Sequence, residues 1–154
     1  MKKYLKLLGL IFLFGITTNQ IIAQEVTDAH KDSLNSILTK YYDLNLKIFQ
    51  SNSSIEDINN TFELFTDDFT YVHPKYGGTY SREDLYNGYV RNQKNGSYNG
   101  TVTEIKIINK IIGLNAIVVQ KSFVKKDDGI KAGEPEMTLF EFKDGKISRI
   151  YEYW

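Results

Sequence analysis

The sequence predicts a single α+β domain in which helices pack on one face of a strongly curved antiparallel sheet. Apolar residues at helical spacing dominate the first half of the mature chain, whereas strand-forming runs separated by tight turns fill the second half. Such segregation is typical of α+β folds. Because sheets twist, four consecutive hairpin strands curl, and helices across the mouth of the curl enclose a cavity. The 154 residues suffice for one domain with a real core and are too few for two.

The first 23 residues have the pattern of a secretory signal peptide. Three lysines precede a short apolar run, residues 7–16, and a small residue, Ala23, stands before Gln24. The run is short for a membrane span, although a retained membrane anchor is the alternative. We therefore expect cleavage after Ala23, a mature domain of residues 24–154, a periplasmic or secreted location and no stable membrane anchor afterwards.

Composition narrows the classes of partner and cofactor. The chain has no cysteine, which excludes disulfides and thiolate chemistry. Removing the three lysines of the leader leaves 16 basic against 19 acidic residues, a formal charge of −3. With no basic run, nucleic acid and anionic membranes are poor partners. With two histidines in all, neither a metal site nor another cofactor is expected.

Three stretches are predicted to be helices. The first covers residues 28–50, the second follows the break at residues 51–54 and ends before Asp67, and the third ends at Asn95. A capping-box pattern, in which a serine precedes an acidic residue by three positions, stands at the start of the second and third helices. These pairs are Ser53 with Glu56 and Ser81 with Asp84.

Strands are predicted around and after the third helix. A short strand ends at His73, before a Pro/Gly turn, and four long strands follow residue 97. The segment Lys143-Asp144-Gly145-Lys146 is a tight hairpin signal. The five predicted strands are residues 69–73, 98–112, 116–126, 136–142 and 147–154.

His73 is the best candidate for proton chemistry near neutral pH. The other histidine, His30, lies in a polar stretch near the mature N-terminus. Since side chains alternate along a strand, Tyr71 and His73 face the same way, where a strand gives way to a turn and a helix start. That placement predicts a pocket. The alternative is that His73 only bonds to backbone at the strand end.

The order of elements and two motifs resemble the nuclear-transport-factor-2-like (NTF2-like) superfamily. The motifs are a Tyr71-x-His73 strand before a Gly turn and a capped helix, and a meander ending in DGKISRIYEYW, residues 144–154. Within that superfamily the chain is similar to SnoaL-like polyketide cyclases, limonene epoxide hydrolases and small bacterial domains of unassigned function. Residues 69–73 and 81–84 most resemble the last group. The resemblance implies a cone-shaped roll with a deep pocket, often dimeric through its outer sheet face, that serves isomerases, dehydratases, cyclases, hydrolases and binding domains.

The resemblance also implies three catalytic candidates: Tyr71, His73 and Glu152. In the epoxide-hydrolase branch, residues at these motif positions hold a water. If Glu152 faces inward, a hydrogen bond to His73 would make an acid–base pair, and Tyr71 could donate to an oxyanion. The alternative is that Glu152 is a surface acid. That branch also has an arginine–aspartate pair, and at its position this chain offers Gln120 and Ser122.

We expect other polar and aromatic side chains to line the pocket. On the last strand, Ser148, Ile150, Glu152 and Trp154 are expected on the pocket face. The full set of predicted pocket residues is Tyr41, Tyr80, Tyr89, Gln120, Ser122, Thr138, Phe140, Ile150 and Trp154.

The outer face of the same strands is unusually apolar. It is expected to hold four residues of the last strand and two of its neighbour, and such a face suggests a partner sheet and a homodimer. These residues are Ile147, Arg149, Tyr151, Tyr153, Met137 and Leu139.

Three functions follow, and the sequence does not decide among them. The first is an exported domain that binds a small, largely apolar molecule without necessarily converting it. The second is a cofactor-free hydrolase, isomerase or dehydratase that uses His73 and Glu152. The third is a dimeric protein-interaction module whose pocket is filled by side chains.

Overall fold

The computed structural model describes residues 27–127 and 129–154 as three helices and a seven-stranded sheet. The predicted signal peptide lies outside the described residues. The helices are α1 (Asp28–Ile48), α2 (Ile55–Phe62) and α3 (Arg82–Lys94), and a 3-10 turn covers Pro74–Tyr76. The strands are β1 (Phe65–His73), β2 (Gly78–Ser81), β3 (Val102–Ile112), β4 (Ala116–Asp127), β5 (Gly129–Ala132), β6 (Glu136–Lys143) and β7 (Lys146–Tyr153).

The sheet has the order β2-β1-β7-β6-β4-β3, with β5 paired to β4. All neighbours are antiparallel except β1 and β7, which are parallel. The four long strands β3, β4, β6 and β7 therefore form the predicted meander. β1 then pairs with β7. The predicted α+β class, with three helices on a curved sheet, is confirmed.

The core lies between α1 and the inner face of the sheet. Three buried residues stand side by side on neighbouring strands: Ile117 pairs with Phe140, and Phe140 with Ile150. We call these three the apolar row. The Tyr41 and Tyr42 rings of α1 meet the edge of the Phe140 ring at 5.3 and 5.7 Å between centroids. Full burial of one such side chain stabilises the fold by roughly 1.5–3 kcal/mol.

The helix starts agree with the sequence to within one residue. Ser81 caps α3 and forms a capping box with Asp84, as predicted. The predicted box of Ser53 with Glu56 is displaced by one position, because Ser54 accepts from the Asp57 N–H and Asp57 accepts from the Ser54 N–H.

The boundary between α2 and β1 differs from the prediction. The predicted second helix included Phe65, but β1 already begins there. Phe65 and Phe69 are both buried and stack with ring centroids 4.0 Å apart. The ladder between β1 and β7 is irregular between Phe65 and Thr70. Tertiary burial of the two rings therefore outweighs the helical spacing that the sequence suggested.

Ile147 was expected on the outer face, and that prediction is wrong. Glu141 pairs with Arg149, but Phe142 pairs with Ile147, so Ser148 is an extra residue in β7. A bulge of this kind shifts the alternation of side chains by one. Ile147 and Ile150 are consequently both fully buried on the inner face.

Two short strands and one strand boundary were not foreseen. β2 begins at Gly78, where only a turn was predicted, and its φ of 118° follows a φ of 106° at Gly77, both in the left-handed region that favours glycine. β5 adds to the end of β4, and β3 begins at Val102 rather than at Tyr98. Among residues 27–127 and 129–154, no helix is long and apolar enough to cross a membrane.

Candidate functional site

A cavity of about 470 Å³ opens between the helices and one end of the inner sheet face. Aromatic side chains make most of its wall, and a group of charged residues lies at one side. Its lining residues are Tyr41, Tyr42, Asn45, Phe49, Tyr71, Tyr76, Tyr89, Val102, Ile105, Lys121, Phe123, Lys125, Glu136, Glu152 and Trp154.

The charged side of the cavity continues directly from the apolar row. Two residues further along their strands, Val119 pairs with Thr138, and Thr138 pairs with Glu152. Two residues beyond Val119 and Thr138, Lys121 pairs with Glu136. Because side chains alternate, all of these face the interior. We call Lys121, Glu136, Thr138 and Glu152 the polar cluster.

One carboxylate oxygen of Glu152 accepts three hydrogen bonds. Lys121 Nζ donates to Glu152 Oε2 at 3.0 Å, Thr138 Oγ1 at 2.6 Å and Trp154 Nε1 at 3.1 Å. Lys121 Nζ also donates to Thr138 Oγ1 at 2.5 Å, which leaves the threonine proton for Glu152. Glu152 is thus held in one orientation by three neighbours.

Lys121 is an unusual residue to find inside a small domain. It is 3% exposed, although a lysine is almost never fully buried unless it is paired. Its ammonium lies between two carboxylates, Glu152 at 3.0 Å and Glu136 at 3.6 Å. Its charge is therefore compensated within the described protein, but the arrangement gives little net stability, because desolvation offsets the attraction.

Glu136 differs from Glu152 in the hydrogen bonds that its Oε2 atom accepts. Its Oε2 atom is buried and has no hydrogen-bond partner among the described residues. The Lys121 ammonium, 3.6 Å away, is an ion-pair partner beyond hydrogen-bond distance. Burial raises the pKa of the Glu136 carboxyl, which Lys121 partly offsets. Sequence reasoning did not single out Lys121 or Glu136, since Gln120-Lys121-Ser122 and Gly133-Glu134-Pro135-Glu136 look like ordinary polar segments.

His73 is buried but does not form the expected pair with Glu152. Its ring packs against the Tyr76 ring at 4.3 Å and the edge of the Trp154 ring at 4.5 Å between centroids. Neither ring nitrogen has a hydrogen-bond partner among the described residues, so the expected bond to Glu152, or to backbone, is absent there. Desolvation lowers the pKa of His73, while Glu152 acts in the opposite direction. Glu152 Oε2 is held instead by Lys121, Thr138 and Trp154.

Tyrosine side chains also line the cavity. Asn45 Nδ2 donates to the Tyr41 hydroxyl at 3.0 Å and to the Tyr89 hydroxyl at 3.1 Å. Burial, with a further contribution from Glu152, raises the pKa of Tyr71 far above its ordinary value. These hydroxyls are therefore neutral and can donate or accept a hydrogen bond.

The structure places the predicted site residues in three groups. Those that line the cavity are Tyr41, Tyr71, Tyr89, Glu152 and Trp154. Those that lie on the inner sheet face below the lining are Thr138, Phe140 and Ile150, each at most 1% exposed. Those that lie outside the lining are His73, Gln120, Ser122, Ser148 and Tyr80, whose hydroxyl donates to the Tyr76 carbonyl.

The expected inward pair of Gln120 and Ser122 is wrong by one residue. Ile117 and Val119 are fully buried on the inner face, so alternation brings Lys121 and Phe123 inward and turns Gln120 outward. Gln120 there accepts from Asn109 Nδ2 at 2.7 Å. The run Ile117-Val118-Val119 is apolar on both faces, and it therefore carried no signal of which face is which.

The described residues contain no group of three or more histidine, cysteine or carboxylate side chains that could hold a metal ion.

Comparison with known proteins identifies the fold. No protein-family model matches the sequence, and no curated protein matches it. Solved structures do match. An NTF2-like protein from Anabaena variabilis is 13% identical with a TM-score of 0.61, over 83% of this chain and 92% of that one. A proposed polyketide cyclase from Sinorhizobium meliloti is 16% identical with a TM-score of 0.54, over 79% and 98%.

A third solved structure is a protein with a ketosteroid isomerase-like fold from Catenulispora acidiphila, in complex with trimethylamine. It is 18% identical with a TM-score of 0.52, over 77% of this chain and 84% of that one. Identities this low bear on the fold alone. The predicted NTF2-like fold, a cone of helices on a curved sheet, is confirmed.

Proposed function

We propose that this protein is an exported NTF2-like domain that binds a small, largely apolar molecule in its cavity. The observation that carries the proposal is the polar cluster at the wall of a cavity that is otherwise aromatic. Ligand sites are typically apolar clefts with a few convergent polar groups, and this cavity has that composition. Its volume of about 470 Å³ falls within the range of roughly 300–1,000 Å³ that is typical of small-molecule sites.

The cost of the polar cluster supports a role in recognition. A buried ion pair is often no more stabilising than apolar residues of the same shape. Two rows away, the same sheet face is filled by Ile117, Phe140 and Ile150, so this fold accommodates apolar residues on that face. Charges at the cavity wall therefore fit a ligand with a polar group better than a purely structural purpose.

The sole tryptophan of the chain gives a direct test, because Trp154 lines the cavity and donates to Glu152. Titration with small aromatic alcohols and amines should change Trp154 fluorescence in a saturable way. Val102→Phe, which places a ring in the cavity wall, should weaken that response. The control Val118→Phe changes the outer face of β4 and should leave it intact. An unaltered response in Val102→Phe would contradict the proposal.

A cofactor-free hydrolase, isomerase or dehydratase remains the second candidate, favoured by the buried imidazole of His73 with two unpartnered nitrogens. Its acid–base pair would need His73 to bond to a Glu152 oxygen, and Glu152 Oε2 is already held by three donors. His73→Asn keeps a polar group of similar shape and removes the titratable base. An enzyme would lose turnover and keep binding, whereas a binding domain would keep its ligand affinity.

Dimerisation through the outer sheet face is the third element of the proposal. Met137 and Tyr153 are 43% and 47% exposed there, and the Tyr151 and Tyr153 rings stack with centroids 4.3 Å apart. This face would suit a second copy of the chain, whether the protein binds small molecules or is an interaction module. A monomeric mass by light scattering at micromolar concentration would contradict it, and Met137→Glu should dissociate a dimer.

A further inference from the structure

The two carboxylates of the polar cluster differ in the number of hydrogen bonds that they accept from the protein, and this difference constrains the ligand. We infer that Glu136 selects ligands that carry a hydrogen-bond donor, a hydroxyl or an amine, and that the cavity disfavours carboxylates. The inference rests on the proposed function, since it names the class of molecule that the same cavity takes.

The Oε2 atom of Glu152 is already occupied. It accepts from Lys121, Thr138 and Trp154 within 2.6–3.1 Å. Three donors leave this oxygen without room for a fourth. A ligand that competed for it would have to displace a bond that the protein makes by itself.

Glu136 is the open position. Its side chain is 19% exposed and lines the cavity, while its Oε2 atom is buried without a hydrogen-bond partner among the described residues. A carboxylate accepts hydrogen bonds and donates none when ionised, so the ligand must bring the proton. Lys121 compensates the charge of this group as an ion-pair partner at 3.6 Å, and a donor on the ligand would supply the hydrogen bond that Glu136 lacks.

The charges around the cavity point the same way. Glu136 and Glu152 share one buried ammonium, that of Lys121, at 3.6 and 3.0 Å. The second lysine of the lining, Lys125, is exposed, so solvent screens its charge. At the inner wall a ligand therefore meets two negative groups and one positive group. A carboxylate would add a third negative charge in a partly desolvated site, which is unfavourable.

Three probes with one apolar skeleton test this directly: phenethyl alcohol, phenethylamine and phenylacetate. Titrations are followed by Trp154 fluorescence and, independently, by ligand-observed NMR. In the unmodified protein, the alcohol and the amine should each bind about tenfold or more tightly than phenylacetate, as expected for one charge-assisted hydrogen bond against one repulsion.

Glu136→Gln tests the residue itself. Glutamine keeps the shape and an acceptor but loses the charge, so the advantage of the amine over phenylacetate should fall by about tenfold, with a smaller change for the alcohol. Glu134→Gln, which makes the same charge change on an exposed residue two positions away, should leave the ranking unaltered. If Glu136→Gln does not fold, the ranking in the unmodified protein still decides whether anions are disfavoured.

The outcomes separate this inference from the function it rests on. Tight binding of phenylacetate, or an unchanged ranking in Glu136→Gln, would overturn the inference and leave small-molecule binding intact. Absence of binding by all three probes, in protein shown to be folded, would overturn the proposed function and the inference with it.

Discussion

Two ends of one sheet face differ sharply although they lie only two to four residues apart along each strand. At one end, Ile117, Phe140 and Ile150 form the apolar row and pack beneath α1. At the other end, the polar cluster occupies the same face of the same strands and borders the cavity. Both ends are buried, so burial alone does not distinguish them. The end covered by α1 has the packing expected of a stabilising core, and the proposed function assigns the polar end to recognition of a ligand.

The largest expected effect is at the apolar row. Phe140→Ala removes a ring that is 1% exposed and contacts Tyr41 and Tyr42. Deleting such a buried ring typically costs about 3–5 kcal/mol of unfolding free energy. Chemical denaturation followed by circular dichroism checks this value. A loss below about 1 kcal/mol would mean that the two ends do not differ as described.

Breaking the polar cluster on one side only should have the next largest effect. Lys121→Met leaves Glu152 and Glu136 without their shared counter-charge, and removing one partner of a buried pair costs about 3–5 kcal/mol in fully buried cases. We expect about 2–3 kcal/mol here, because the cavity admits water to the exposed part of Glu136. The exposed ion pair of Lys143 with Asp68 is the control. Lys143→Met should be nearly neutral by the same measurement.

The pH dependence of stability should show a smaller effect, which comes from His73 beside Trp154. Burial lowers the pKa of His73 in the folded protein, so the unfolded chain binds a proton more readily. This contribution to stability is fully present above the unfolded pKa of about 6.5, and it is lost as the pH falls below that value. Thermal unfolding between about pH 7.5 and 5 should show this loss, and His73→Asn should reduce it. An identical pH profile in the variant would show that His73 contributes nothing to the dependence.

The sequence was informative where the signal was local. A capping box sets the start of α3 through Ser81 and Asp84, and the hairpin at Asp144-Gly145 sets the turn between β6 and β7. Both depend on neighbours within three or four residues. The order of helices and strands, and with it the NTF2-like fold, could therefore be predicted from the chain alone.

The site was harder to predict because it depends on which face each strand turns inward. Glu152 was placed inward correctly, whereas the bulge at Ser148 brought Ile147 to the same face against expectation. On β4 an error of one residue exchanged Lys121 for Gln120. The period of two in a strand makes a one-residue slip change every side chain at once. Only the pairing of β4 with β6, and of β6 with β7, brings Lys121 to Glu136 and Glu152.

We propose that the polar end of the sheet serves a ligand and contributes little to stability. Converting that end into a second apolar row, with Lys121→Met, Glu136→Leu, Thr138→Val and Glu152→Leu combined so that no charge is left unpaired, tests both parts of this proposal. The unfolding free energy of this variant should equal that of the unmodified protein or exceed it by about 1–4 kcal/mol. The saturable Trp154 response to phenethyl alcohol, or the same binding followed by ligand-observed NMR, should be lost. A variant that is strongly destabilised, or that stays stable and still binds the alcohol with unchanged affinity, would contradict it.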